Sequence, residues 1–323
     1  MSWYAFDAID DSVEAIKKLL LPFDLSKWAR LAFIMFFLGA GGFSSPTSFT
    51  GQPPSTGPGG GGFDGDISEI IPPIEIIAAV VIVILVIGLI YSIIGAIMEF
   101  VFVDSLRKRE VHVRRYFRKR VRKGLHLFAF QLAIGLPTFL LVAGAIGAFF
   151  LPFLGFPRAW FGLLILLIPL IAVVVFVGGI VLGLTIDFVV QIMVSEDTGI
   201  ISAWKLFWPL LKSDWKQYAL YVVIRFFIGI GVGIIRGLVV LVAALIIGIP
   251  FGIIGIALLF AGTFILAAIV FILYALVMVV VFLFIQVPFM SYLRYYTMLV
   301  LGDSSSEFDL IPDLREEIRG EEA

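Results

Sequence analysis

Long apolar runs separated by short clusters of polar and charged residues organise this chain. Six runs stand out: residues 28–43, 74–103, 125–150, 160–194, 218–249 and 251–287. Most exceed the roughly 18 consecutive apolar residues that mark a membrane-spanning helix, and several exceed the ~20 that one crossing needs. They lack the alternation of apolar and polar positions that a membrane β-barrel strand requires. The pattern predicts an all-α fold, a polytopic transmembrane helical bundle of about six spans, with Pro137 and Pro169 as candidate kinks. Before the first run, Ile9, Val13, Ile16 and Leu20 recur at helical spacing and predict an amphipathic interfacial helix within an arm of residues 1–27. Residues 28–301 form the expected transmembrane domain, and residues 302–323 an acidic, solvated tail.

Composition agrees with that class. Of 323 residues, 61% are hydrophobic and only 15% charged, with a mean hydropathy of +1.11. A soluble domain is about a quarter charged and could not cover so much apolar surface. No cysteine is present, which excludes disulfides and thiolate metal sites. The first twenty residues carry acids where a signal peptide has a basic region.

The distribution of charge predicts orientation. Residues 107–123, "RKREVHVRRYFRKRVRK", hold ten of the 23 Lys and Arg residues. With Lys17, Lys18, Lys27 and Arg30, and with Lys205, Lys212 and Lys216, they fall on one side of a six-span arrangement. The excess of basic residues marks that side as cytoplasmic, with both termini on it. The Gly-, Pro-, Ser- and Thr-rich stretch within residues 44–73 is then a flexible exterior loop. The basic segment 104–124 is expected to lie along the membrane surface as a helix. Arg114, Arg115, Arg118 and Lys119 are candidate contacts to anionic lipid headgroups, at about 1 kcal/mol per basic residue near the surface. Because this segment abuts a membrane, nucleic acid is not the expected partner; a protein partner or a second copy of the chain is compatible with the sequence.

Two repeated features suggest three parallel units of arm plus helical hairpin. "KLLLPFDLSKW" and "KLFWPLLKSDW" align Lys18 with Lys205, Pro22 with Pro209 and Trp28 with Trp215. Glu99, Asp187 and Gln286 each stand eight residues before Arg107, Ser195 and Arg294, roughly 12 Å along a helix. One polar group is therefore expected at similar depth on each even-numbered span.

The fifth run contains "RFFIGIGVGIIRG", with Arg225 and Arg236 inside apolar sequence. Gly229, Gly233 and Gly237 recur every fourth residue on the same side of the helix, a spacing that lets another helix backbone approach closely. An arginine on that face needs a partner, because at the bilayer centre it costs about 2.5–3.5 kcal/mol. Two readings follow. Arg225 joins Asp187, with Glu99 and Gln286 as further members, in an intramembrane polar cluster; or each arginine reaches to its nearer interface and pairs with nothing specific.

No catalytic motif, P-loop or metal-binding spacing is present, and His112 and His126 are too far apart along one helix to share an ion. The sequence calls for no cofactor. "MSWYAFDAIDDSVEA", "LLPFDLSKWARLAFI", "TIDFVVQIMVSEDTGIISAWKLFWPLLKSDWKQYALYVVIR" and "YLRYYTMLVLGD" resemble a family of haloarchaeal multi-pass membrane proteins of unknown function. A more distant likeness is to the membrane domain attached to some glycerophosphodiester phosphodiesterases. The resemblance implies a cell-membrane location and carries no functional residue. The expected function is non-enzymatic, acting through membrane packing, lipid contact or partner binding. A small-solute or ion transporter is the alternative, for which a polar cavity near mid-membrane would be the signature.

Overall fold

A computed structural model describes residues 4–38, 74–150 and 160–321. Among the described residues every element is helical: α1 Tyr4–Leu20, α2 Leu25–Leu38, α3 Ile74–Lys108, α4 Val113–Phe150, α5 Trp160–Leu184, α6 Val190–Ser195, α7 Ile200–Ser213, α8 Trp215–Phe260, α9 Phe264–Ser304 and α10 Pro312–Glu321. A single π-helical turn, Thr185–Val189, joins α5 to α6 without breaking the rod. Five rods are long and apolar enough to cross a membrane: α3, α4, α5 with α6, α8 and α9. Pro137 and Pro169 lie inside continuous helices.

The sixth expected span is α2, of which 14 residues are described; residues 39–43, and the expected exterior loop 44–73, lie outside the described residues. Arg30 of α2 donates to the Val111 carbonyl at the α3–α4 turn, while Phe36 and Phe37 meet Tyr91, far up α3. Thus α2 runs antiparallel to α3. Helix α10 packs on α1, so residues 4–20 and 312–321 meet at one end of the bundle. Joining them takes an even number of crossings; the five rods supply five, and α2 is the sixth that the sequence leads one to expect.

The core gathers at that end, which we call the base. It takes the last turns of α3, α5–α6 and α9, the first turns of α4 and α8, and the inner faces of α1, α2, α7 and α10. Toward the far end the rods are mostly exposed and carry Val, Ile, Leu and Phe around their surfaces.

Local sequence explains how the base closes. Helix α1 turns Ala5, Ala8, Ser12 and Ala15 inward, at three- and four-residue spacing, and the Tyr296 hydroxyl donates to the Ala5 carbonyl at 3.0 Å. Of the stripe read from the sequence, Leu20 is buried and Ile9 and Ile16 are partly buried against the core, while Val13 is exposed. Small side chains take the inner face because they let α1 and α9 approach closely. Helices α3 and α4 approach closely at Gly124, where an added Cβ would stand 2.7 Å from the Ile97 Cα.

The repeat is realised in two of the three units. Helices α1 and α7 each precede a spanning helix after a short break, although Pro22 sits in the break and Pro209 inside α7. The middle unit has no arm. Residues 109–112 turn the chain directly from α3 into α4, with Arg109 at φ 53°. The basic segment is consequently not a separate helix along a surface. Its residues extend α3 and α4 themselves.

Candidate functional site

Two charged constellations occupy the base. The first surrounds the π-helical turn. There the Val190 N–H donates to the Thr185 carbonyl, one residue beyond α-helical register. The Ile186 carbonyl receives Arg294 Nη1 of α9 at 2.7 Å, and Arg294 Nη2 also meets Glu99 Oε2 of α3. Asp187, in the same turn, faces α8. Tyr221 donates its hydroxyl to Asp187 Oδ2 at 2.8 Å, and Arg225 Nε stands 3.5 Å from the same oxygen. Tyr221 and Arg225 are four residues apart, hence neighbours on one helical face. One turn further, Gln191 Nε2 donates to the Asp187 carbonyl and to Thr297 Oγ1 at 2.7 Å, tying α6 to α9.

Glu99, Asp187, Arg225 and Arg294 line one cavity of about 20 Å³. Two carboxylates face two guanidinium groups, so the set is formally neutral. The space suits about one water molecule. Asp187 and Arg225 therefore meet as the sequence pairing expects. Glu99 joins the same cavity through Arg294, a residue used in the sequence only as a landmark. Gln286 is buried but does not line the cavity. It lies eight residues from Arg294, roughly 12 Å further along α9, and it is Arg294 that meets Glu99. Equal depth holds for Glu99 and Asp187, and Gln286 departs from it.

The glycine face is used less than its spacing suggests. Gly229 is buried, but an added Cβ at Gly233 or Gly237 would meet nothing within 4 Å. Helices α8 and α9 come together instead at Gly255 against Phe271 and Gly248 against Tyr274.

The second constellation is the α3–α4 hairpin. Its basic residues divide by the phase of α4. Arg120 turns inward and grips Asp104 of α3 with two parallel bonds, Nε to Oδ2 at 2.7 Å and Nη2 to Oδ1 at 2.9 Å. Lys123 donates to the Met193 carbonyl at 2.6 Å, at the C-terminal end of α6 where unpaired carbonyls favour a cation. It also bonds Asp197, and that bond holds the Asp197 carboxyl below the usual carboxylate range.

The other face of α4 is different. Arg114, Arg115, Arg118 and Lys119 are exposed and make no hydrogen bond or ion pair with another described residue. Together with Arg30 and Lys108 they line a pocket of about 980 Å³. Among the described residues Asp104 is the single carboxylate in its lining, and Arg120 already occupies it. All four lipid-contact candidates read from the sequence thus share one pocket. Arg30, distant in sequence, had no signal linking it to them.

The acidic tail is not a solvated appendage. Leu310, Ile311, Leu314 and Ile318 are buried against the base. Arg319 bridges Asp303 and Asp11, Arg315 pairs with Asp309 at 3.0 Å, and Glu317 receives Arg109 at 2.6 Å. The apolar residues recur at helical spacing among the acids, a signal the charge count obscured.

Among the described residues no group of three or more His, Asp or Glu side chains is placed to hold a metal ion. A family model described as "Family of unknown function (DUF7544)" matches residues 3–311. No curated protein and no solved structure matches the chain.

Proposed function

The chain belongs to that family of unknown function, and from this premise we propose a non-enzymatic membrane protein whose base engages acidic lipid headgroups. One observation carries the reading: the α3–α4 hairpin turns four unpaired cations onto one side of α4, where they and two more line a single pocket. The contact between α1 and α10, together with the basic residues gathered at the base, supports placing that end at the cytoplasmic face. The resemblance of the sequence motifs supports a haloarchaeal cell membrane as the location. The charged set at the π turn fits a register device, since removing one member would leave another buried and unpaired. Its cavity of about 20 Å³ offers a solute no compartment in this conformation, so transport gains no support from it.

The test uses the full chain in nanodiscs containing equal amounts of phosphatidylglycerol and phosphatidylcholine. Lipids retained after extraction into mild detergent are quantified by mass spectrometry. The wild type is expected to retain phosphatidylglycerol preferentially. Changing Arg114, Arg115, Arg118 and Lys119 together to Gln should lower that preference at least about tenfold, given about 1 kcal/mol per basic residue. An unchanged lipid ratio would reduce the hairpin to a topology signal.

A further inference from the structure

The pocket at the α3–α4 hairpin is more than a charged surface, and we propose that it is a binding site for a compound carrying two or more phosphate groups. This rests on the reading of the hairpin as an anion-binding region and names the chemistry it selects.

Three separate elements supply the cations. Arg30 comes from α2, Lys108 from the last turn of α3, and Arg114, Arg115, Arg118 and Lys119 from the first turns of α4. Arg30 is fixed in place by its 3.0 Å bond from Nη1 to the Val111 carbonyl, which leaves the rest of its guanidinium donors free for a ligand. Lys108 sits over the Tyr116 ring, 5.4 Å from its centroid. The only carboxylate among the described residues of the lining, Asp104, is saturated by the two bonds from Arg120. The nearby Glu110 lies outside the lining, 3.6 Å from His112 Nδ1. Six cations therefore line the same space, and among the described residues of that lining no carboxylate is left free to neutralise them. A single phosphate would leave most of them unmatched.

The start of α4 adds to this field. Its first turn contains no acidic residue and instead carries Arg114 and Arg115, at the helix end whose unpaired N–H groups already favour an anion. Such an arrangement is self-repelling until an anion fills it. The volume, about 980 Å³, lies at the upper end of the range for small-molecule sites.

Arg30 and Arg114 meet at the same end of the pocket, because Arg30 Nη1 is held at the Val111 carbonyl, three residues before Arg114. The phosphates can be carried on a lipid or on a compound free in solution.

Two arms distinguish those sources. In the first, purified full-length protein in neutral detergent is titrated with inorganic tripolyphosphate and with orthophosphate at constant ionic strength, followed by calorimetry. In the second, nanodiscs containing cardiolipin, with two phosphates, are compared with phosphatidylglycerol nanodiscs at matched total charge, again by lipid retention. The proposal expects at least tenfold preference for the multi-phosphate probe in one arm or both. A preference in the first arm alone assigns a soluble ligand; in the second alone, a lipid. Arg30→Gln and Arg114→Gln, from separate elements, should each abolish the preference, while Arg122→Gln, exposed on α4 outside the lining, should preserve it.

No preference in either arm overturns the proposal. So does an Arg122→Gln loss equal to that of Arg30→Gln, which would show diffuse attraction. If phosphatidylglycerol is still retained over phosphatidylcholine in that case, the lipid-contact reading stands and only the multi-phosphate site falls. Thermal unfolding of each variant checks that a lost preference is not a lost fold.

Discussion

The base and the far ends of the rods invert the usual relation between burial and polarity. At the base Asp104 and Arg120 are each 3% exposed and Arg294 is 7% exposed. At the far end Phe264, Ile265 and Phe260 are 69%, 80% and 90% exposed. A protein surrounded only by water would unite those phenylalanines and solvate those arginines. The difference shows where each half finds its solvent. The far segments leave their apolar faces for lipid, where helix contacts gain nothing from the hydrophobic effect. The base must hold itself together, and does so with small-residue contacts, aromatic packing and ion pairs between helices.

The largest test of that contrast removes a buried charge from the base. Arg120→Met would leave Asp104 buried and unpaired, and should cost about 3–5 kcal/mol in reversible unfolding in detergent. Leu245→Ala on the exposed part of α8 should stay within about 0.5 kcal/mol. Comparable losses would mean that the two halves are equally packed.

Glycines sharpen the comparison at a smaller scale. Gly124→Val forces α3 and α4 apart and should cost about 1–3 kcal/mol, since the neighbouring atom is backbone. Gly233→Ala meets open space and should be neutral or stabilising by up to about 1 kcal/mol, as for an ordinary helix interior. A clear loss at Gly233 would reveal that the exposed face packs on something outside this chain.

The smallest effect concerns the docked tail and is set by pH. The hydrogen bond from Arg109, assisted by Lys18, holds the Glu317 carboxyl below the usual range. Its folded value is depressed, so its contribution is complete above the free glutamate value of about 4.3 and disappears as pH falls through the folded value. Hydrogen exchange across residues 312–321 should accelerate modestly over that acid range. Glu317→Gln should remove this pH dependence. A wild-type profile that matches the variant's would show that the tail is held without the carboxylate.

Much of the architecture was legible in the sequence. Apolar run lengths predicted the rods, and the matching positions of Asp187 and Arg225 relative to the connection between their helices predicted their meeting. The details depended on phase and register, which no composition reveals. Arg118 and Arg120 are chemically identical, yet one faces a pocket and the other is buried. The contact between Gly124 and Ile97 helps set that phase. Arg294 reaches Glu99 and meets the Ile186 carbonyl at a π turn that apolar periodicity does not mark. The tail was misread because eight acids outweighed four well-spaced apolar residues.

The bond from Tyr296 to Ala5 joins residues 291 positions apart, and α10 also packs on α1, with Arg319 bonded to Asp11. During synthesis, α1 emerges with an inner face whose partners do not yet exist. At about 5–20 residues per second, the ribosome reaches α9 and α10 roughly 15–60 s later. Throughout that interval the inner face of α1 has none of these partners. The base can close only after the last span has been made, so assembly of this protein is completed from the end of the chain back to its beginning.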